Sequence, residues 1–306
     1  MNADTIKWLL EGDVSIQYQV SRDLLKKDNL KLRSKISKEG WGKKLLALQK
    51  RNGHWGIAFY QPKWTSTHYT LLDLKNLSIS PSVNSISKIV SSVLKNEMSR
   101  DFEKKYEMTV NKDICINGMV LNYGSYFRSD IDLLKPIVDY LIENHMSDGG
   151  FNCQSPNKGA VHSSLHTTLS VLEGINEFFK NGNKYKRKQL RAIEKDCIEF
   201  ILIHKLFKSD KTGKTININF TRIPYPPRWK YDILRCLDYF QSANIKYDPR
   251  MEDAVDLLLS KRKPTGLWPL QAKHPGQIHF EMEKAGQPSR WNTLRALRVL
   301  KHYNFL

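Results

Sequence analysis

The sequence predicts an all-α fold of repeated helical hairpins that close into a ring around one cavity. Three observations lead to this prediction. A helical segment recurs five times, a second helical segment precedes each copy, and three of the turns between them share a glycine and an aromatic residue. Signals for β-strands are weak, and only residues 215–223 alternate enough to predict a short extended loop. A chain of 306 residues is long for one compact core but suits one repeat array.

The recurring segment is clearest at residues 66–77 and 164–175, which share Ser, His, Thr and two Leu in one register. Further copies begin near residues 117, 229 and 289. In most copies apolar residues recur every three or four positions, as they do along one face of a helix. In this register one position of the repeat is occupied in turn by His68, Gly118, His166, Tyr231 and Trp291.

The preceding helices are predicted at residues 43–49, 83–96, 133–144, 189–204 and 251–262. Three of them end in the related turns Gly53-His54-Trp55, Gly149-Gly150-Phe151 and Gly266-Leu267-Trp268. Glycine suits a helix C-cap, and the aromatic side chain can fold back onto its hairpin. Residues 1–38 are predicted to add a helical segment that closes the ring, so that residues 1–306 form a single domain.

Composition limits the class of protein. The formal net charge is +18, but the lysines are dispersed, which favours solvated helix faces and makes nucleic acid an unfavoured partner. No apolar stretch is long enough to span a bilayer, and no secretory leader is evident, whereas peripheral membrane contact stays open. The four cysteines form no CxxC motif. We therefore expect a cytoplasmic protein with reduced cysteines.

Several of these segments resemble a known superfamily. Residues 48–55, which contain Gln49 and end in Gly53-His54-Trp55, resemble the glutamine-and-tryptophan motif of squalene and terpene cyclases. The Gly149-Gly150-Phe151 turn followed by His166-Thr167 resembles the β subunit of protein prenyltransferases. Residues 62–69 and 288–293 resemble small bacterial prenyltransferase-like or squalene-cyclase-like proteins of undefined activity. The resemblance covers residues 40–306 and implies an α/α toroid of five to six hairpins, with an aromatic-lined pocket for a hydrophobic, isoprenoid ligand.

The active-site signatures of this superfamily are incomplete here. The cyclases use an Asp-x-Asp-Asp acid, and the nearest string, residues 130–133, lacks the final Asp. The prenyltransferases hold zinc with an Asp-x-Cys pair and a distant His, which implies Asp113, Cys115 and His166 as zinc ligands, with His162 and Cys153 as nearby candidates. The diphosphate-binding Arg and Lys of that family correspond to Glu107 and Val110. Whether the chain is an enzyme is therefore left open.

Other side chains are candidates for a pocket at the starts of the repeated helices. His68, His162 and His166 are candidate catalytic acids or bases. Four arginines could bind a carboxylate or phosphate, or instead pair with loop carboxylates: Arg128, Arg222, Arg228 and Arg290. Five aromatic residues are candidates for the lining: Trp64, Tyr69, Trp229, Tyr231 and Trp291. Trp55 and Trp268 are expected to join repeats.

Three functions remain open from the sequence. The first is an enzyme-like pocket for a hydrophobic, isoprenoid ligand. The second is a non-catalytic module that binds a metabolite, peptide or glycan. Whatever the function, a small hydrophobic or anionic ligand is the expected partner. The third is a basic helical-repeat protein for nucleic acid. The substrate and the oligomeric state are not predicted.

Overall fold

The computed structural model describes residues 2–98, 111–271 and 273–306. These residues are helical and irregular, and they contain isolated β-bridges but no strand, which confirms the all-α prediction. None of the helices in these ranges is both long enough and apolar enough to cross a membrane. The α-helices are α1 (Ala3–Leu10), α2 (Val14–Gln19), α3 (Leu30–Lys35), α4 (Gly40–Ala47), α5 (Thr67–Asn76), α6 (Asn84–Asn96), α7 (Ile114–Tyr126), α8 (Ile131–Glu143), α9 (Ser155–Lys158), α10 (Leu165–Lys180), α11 (Arg187–Ile203), α12 (Ile233–Ser242), α13 (Glu252–Ser260) and α14 (Arg290–His302).

The helices follow the predicted alternation. Each repeated segment forms one helix, namely α5, α7, α10, α12 or α14, and the helices predicted before them are α4, α6, α8, α11 and α13. Boundaries differ by a few residues, for example for α4, which begins at Gly40, and for α12, which begins at Ile233. The 215–223 segment contains a 3-10 turn at Ile218–Thr221 where the sequence predicts an extended loop.

The shared glycine-aromatic turn is confirmed. The turn glycines have φ angles of +87°, +93° and +83°, a region that favours glycine: Gly53, Gly149 and Gly266. Each following aromatic side chain is fully buried. The indole N–H of Trp55 donates to the Leu45 carbonyl, and that of Trp268 to the Leu258 carbonyl, both at 2.7 Å. In all three copies a threonine hydroxyl of the next helix accepts the backbone N–H of the aromatic residue, in the pairs Trp55–Thr67, Phe151–Thr168 and Trp268–Thr293.

Six segments are largely buried and are called the core helices: α2 with its π-helical continuation Val20–Leu24, then α5, α7, α10, α12 and α14. Each is joined to the next by a side-chain hydrogen bond or, for α7 and α10, by close backbone packing. The joining pairs are Gln19–Asn76, Tyr123–His68, Gly118–Ser170, Arg235–Ser170, Arg295–Asp238 and, between α14 and the π turn, Arg298–Asp23. The first and last core helices of the chain are therefore in contact.

Helices α7 and α10 pack most closely because each has a glycine at the contact. A Cβ atom added to Gly118 would lie 2.7 Å from the Ser170 carbonyl oxygen and 2.8 Å from the Val171 Cα. A Cβ atom on Gly174 would lie 2.4 Å from the Gly118 carbonyl oxygen. These neighbours are backbone atoms that cannot rotate away, so the two backbones approach closely only because both residues lack side chains.

We predict that Gly118→Ala lowers the free energy of unfolding by about 2 kcal/mol, since overpacking outweighs the better helix propensity of alanine. Gly124→Ala in the same helix is the matched control, because its new Cβ would meet mobile side-chain atoms, the nearest being Leu134 Cδ2 at 3.0 Å. Urea denaturation of both variants measures the difference. Equal stabilities for the two would contradict this account of the α7–α10 contact.

Candidate functional site

A charged cavity of about 730 Å³ lies among the core helices. This volume is within the range of small-molecule sites. Five arginines line it: Arg22, Arg228, Arg235, Arg295 and Arg298. Four lysines also line it: Lys26, Lys75, Lys180 and Lys301. The lining carboxylates are Asp23, Glu173, Glu177 and Asp238. Among the described residues, the wall thus carries nine basic side chains against four acidic ones.

Three of the arginines and two aspartates form a continuous Arg–Asp network along one wall. Arg298 is its centre, with Nε and Nη2 each 2.6 Å from the Asp238 oxygens and Nη1 3.0 Å from Asp23 Oδ2. Arg22 Nε donates to Asp23 at 2.6 Å, and Arg295 Nε donates to Asp238 at 3.2 Å. The network spans the π turn, α14 and α12, and three guanidinium groups share two carboxylates.

Both aspartates of the network remain ionised at neutral pH. Burial by itself would raise the pKa of the Asp238 carboxyl, but Arg298 and Arg295 outweigh it and hold this pKa below its ordinary value. Burial also opposes ionisation of Asp23, whose pKa is nevertheless lowered by Arg22 and Arg298. The positive charge of the network therefore exceeds the negative charge.

The π turn explains how two neighbouring residues both reach the cavity. Arg22 and Asp23 are adjacent in sequence, and both line the cavity. A π-helical turn is wider than an α-helical one, and such turns often occur at functional sites. Here the turn aligns an arginine and an aspartate toward Arg298.

Two further ion pairs line the cavity or lie beside it. Arg235 binds Glu173 in a bidentate arrangement, with Nε–Oε1 at 2.9 Å and Nη2–Oε2 at 2.7 Å. Arg228 Nη1 lies 2.6 Å from Asp73 Oδ2, and both side chains are buried. Burial raises the pKa of Asp73 despite the opposing effect of Arg228. These pairs hold α10 to α12, and α5 to the loop before α12.

Arg295 has hydrogen-bonding capacity that the described residues do not use. Its Nη1 is buried and has no hydrogen-bond partner within residues 2–98, 111–271 and 273–306. Asp238 already binds Arg298 through both oxygens, so Arg295 gains only one contact from it. Arg295 therefore lines the cavity with an unused N–H donor, while the buried Asp232 carboxyl also lies within electrostatic reach of its guanidinium.

Trp291 lines one end of the cavity, and its ring is already stacked on two other aromatic residues. One face stacks on Tyr225, with ring centroids 4.6 Å apart, and it also stacks on Trp41 at 6.0 Å. Its indole Nε1 is buried and, among the described residues, has no partner. The ring of Trp291 is thus occupied by other aromatic residues and offers the cavity little stacking surface.

Loops cover the structure near this closed end. Trp64 Nε1 donates to the Pro275 carbonyl at 2.6 Å, and Thr70 Oγ1 lies 2.9 Å from His279 Nε2. His274 Nε2 lies 3.1 Å from the Pro227 carbonyl. The segment after α13 is therefore tied both to α5 and to the loop before α12.

Of the predicted site residues, only Arg228 and Trp291 line the charged cavity. Arg290 lies outside it, where its guanidinium covers Trp8 and its Nε donates to the Trp8 carbonyl. Three other predicted site residues have exposed side chains: Arg128, His162 and Arg222. Trp64 and Tyr69 are buried and pack edge to face beside the Arg228 guanidinium.

His68 is a core residue. It is fully buried among Phe59, Tyr60 and Tyr69, and its Nδ1 lies 3.4 Å from the Tyr123 hydroxyl. Burial lowers the pKa of His68 to about 3, so the ring is neutral at physiological pH. Its position favours a packing role over acid-base chemistry at the cavity.

His166, Trp229 and Tyr231 form a separate cluster. His166 Nδ1 accepts the Tyr231 backbone N–H at 2.7 Å, and its ring packs against Trp229 and Phe220. Burial, with smaller effects from nearby cations, lowers the pKa of His166 to about 4. These contacts occupy His166 in joining α10 to the start of α12.

The predicted zinc ligands lie at helix starts. Cys115 is at the beginning of α7, where its N–H donates to Cys153 Sγ at 3.1 Å, and Asp113 is the N-cap of the same helix. Within the described ranges, no three His, Cys, Asp or Glu side chains are grouped as metal ligands would be. Zinc at Asp113, Cys115 and His166 stays a prediction without geometric support. Glu107 and Val110 lie outside the described residues.

The sequence interpretation missed most residues of the cavity, although a signal was present. Several of them, such as Glu173, Arg235 and Arg298, lie four or seven positions after the equivalent residues of the repeat, on the same helix face. In three copies these positions hold Ser170 and Glu173, Arg235 and Asp238, and Arg295 and Arg298. Charged residues at the centre of otherwise apolar helices are costly unless paired, and their recurrence indicates a shared polar interior.

No family model and no curated protein matches this sequence. The function therefore has to be inferred from the cavity and its chemistry.

We predict that His68 makes stability depend on pH. Its pKa is about 3 in the folded chain and about 6.5 when unfolded, so protonation favours the unfolded chain as pH falls below the latter value. As the pH falls from about 7.5 to about 5, this effect of His68 should lower the free energy of unfolding by about 2 kcal/mol. Urea denaturation at both pH values should show a smaller loss of stability in His68→Phe than in the unsubstituted protein.

The control is His162→Gln, because that side chain is exposed. It should keep the pH dependence of the unsubstituted protein. An unchanged pH dependence in His68→Phe would show that His68 is not buried in a neutral state.

Proposed function

We propose that the chain is an α/α toroid whose charged cavity binds a small anionic ligand. In this proposal the six core helices form a closed ring, and the segment that contains α1, α2 and the π turn closes it. Support comes from the succession of contacts between core helices, which returns from α14 to the π turn through Arg298 and Asp23. A single domain over residues 1–306 is part of the same proposal.

The observation that carries the ligand proposal is the excess of guanidinium groups in the Arg–Asp network. Arg295 shares Asp238 with Arg298 and leaves Nη1 unpaired among the described residues. A buried charge that shares its counter-ion is costly, and an anion in the cavity would offset part of the charge of Arg295. Carboxylates and phosphates match guanidinium geometry and are bound by charge-assisted hydrogen bonds.

The lining favours a polar metabolite over an isoprenoid. A hydrophobic ligand gains free energy by burying apolar surface, but this wall consists mainly of charged and amide side chains. The ring of Trp291 is already stacked on other aromatic residues. The binding-module hypothesis therefore fits the cavity better than the cyclase-like or prenyltransferase-like one.

We predict that isothermal calorimetry detects binding of phosphate or citrate but not of farnesol or neutral glucose. Arg295→Gln should weaken anion binding about tenfold or more, because one charge-assisted contact is lost. Arg295→Lys should restore part of the affinity. Higher salt should weaken binding throughout.

The matched control is Lys188→Gln, which removes an exposed charge on α11 away from the cavity. It should leave the affinity unchanged. Binding of farnesol without binding of any anion would contradict the proposal and favour the hydrophobic ligand.

A further inference from the structure

The charged cavity has a closed end and an open end. Along the cavity face of α14, the exposed fraction rises from 1% for Trp291 to 4% for Arg295 and 16% for the Arg298 side chain, and Lys301 is half-buried. The same gradient occurs on α10, where Ser170 is buried and Lys180 is exposed. The C-terminal ends of the core helices therefore form the rim.

The closed end concentrates guanidinium groups. Arg228, Arg235 and Arg295 all line the cavity, and each is less than one-tenth exposed. Two of them are paired with a carboxylate of their own, whereas Arg295 shares Asp238 with Arg298 and keeps an unpaired Nη1 among the described residues. The buried Asp232 carboxyl also lies within electrostatic reach of Arg295. This end therefore suits one oxyanion group.

The rim carries a second set of cations. Lys301 Nζ donates to the Leu24 carbonyl at 2.6 Å, and Lys180 Nζ donates to the Ser242 hydroxyl at 2.6 Å. These acceptors are neutral, so the bonds position the ammonium groups without cancelling their charge. Lysines at helix C-termini also offset the helix dipole, which accounts for part of this pattern.

Between the two ends the wall offers acceptors and amides. The cavity face of α10 presents Glu173 and Asn176, and that of α12 presents Gln241. The four acceptor sites of Asp238 are already used by Arg295, Arg298 and Gln241. Carboxylate and amide groups bind hydroxyl groups well. Arg295 and Lys301 are six residues apart on one helix, which corresponds to about 9 Å along its axis.

We propose that the ligand is an elongated dianion with a hydroxylated body and an oxyanion at each end. One oxyanion binds beside Arg295 at the closed end, and the other binds the ammonium groups of Lys180 and Lys301 at the rim. The oxyanions are phosphates or carboxylates, which share this recognition chemistry. This inference rests on the proposed binding of an anion in the cavity.

The test compares ligands with one and two anionic ends by calorimetry at constant ionic strength. The phosphate pair is fructose 6-phosphate and fructose 1,6-bisphosphate, and the carboxylate pair is gluconate and glucarate. In at least one pair the dianion should bind about tenfold tighter than the monoanion. The pair that shows this difference identifies the oxyanion.

Variants separate the two ends. Lys180→Gln combined with Lys301→Gln should remove the advantage of the dianion and leave monoanion affinity within about twofold. Arg295→Gln should weaken both ligands of the pair, and Lys188→Gln should weaken neither. The rim lysines are at least partly exposed, so the double variant is expected to fold, which circular dichroism checks.

Equal affinities for monoanions and dianions would overturn this inference while leaving the proposed function intact. This inference would also be overturned if the double variant Lys180→Gln, Lys301→Gln weakened the binding of the monoanion and of the dianion equally. A protein that binds none of the four sugars, phosphate or citrate would contradict the proposed function itself.

Discussion

The rest of the structure depends on the Arg–Asp network centred on Arg298. This side chain binds Asp238 on α12 and Asp23 on the π turn, so it joins the end of the chain to its beginning. Charges this close to the interior are tolerated only when they are paired, and loss of one partner leaves an uncompensated buried charge. The network therefore links packing to electrostatics, because the contacts that hold these core helices together also charge the cavity wall.

The same network leaves the cavity suited to a ligand rather than to apolar packing. Three guanidinium groups share two carboxylates, and Arg295 is the least compensated of them. Trp291, one turn earlier on α14, is fixed between Tyr225 and Trp41 and closes one end. Position along α14 thus determines where each residue lies in the cavity. The buried start of the helix forms its closed end, the middle supplies arginines, and the last turn supplies Lys301 at the open end.

The fold was predictable to a greater extent than the site. The glycine-aromatic turns and the helical spacing of apolar residues both depend on local backbone geometry. The turns that contain Gly53 and Trp268 could therefore be predicted from short segments of sequence. The site depends on contacts between distant residues, and Arg298 and Asp23 are 275 positions apart. The candidate residues that the repeat indicates, such as His68 and His166, lie at helix starts, whereas the cavity opens at helix ends. The charged residues four and seven positions after the equivalent residues of the repeat are present in the sequence. No local sequence feature, however, indicates that they face one another in the fold.

A double-mutant cycle across the closing contact tests the central claim most directly. Free energies of unfolding would be measured for the unsubstituted protein, Asp23→Asn, Arg298→Gln and the double variant. If Arg298 joins the first and last core helices, the coupling energy between the two sites should be about 1–3 kcal/mol. The exposed pair Arg250 and Glu199 gives a reference, for which about 0.5 kcal/mol is expected. Additive effects at Asp23 and Arg298, within about 0.3 kcal/mol, would contradict the account.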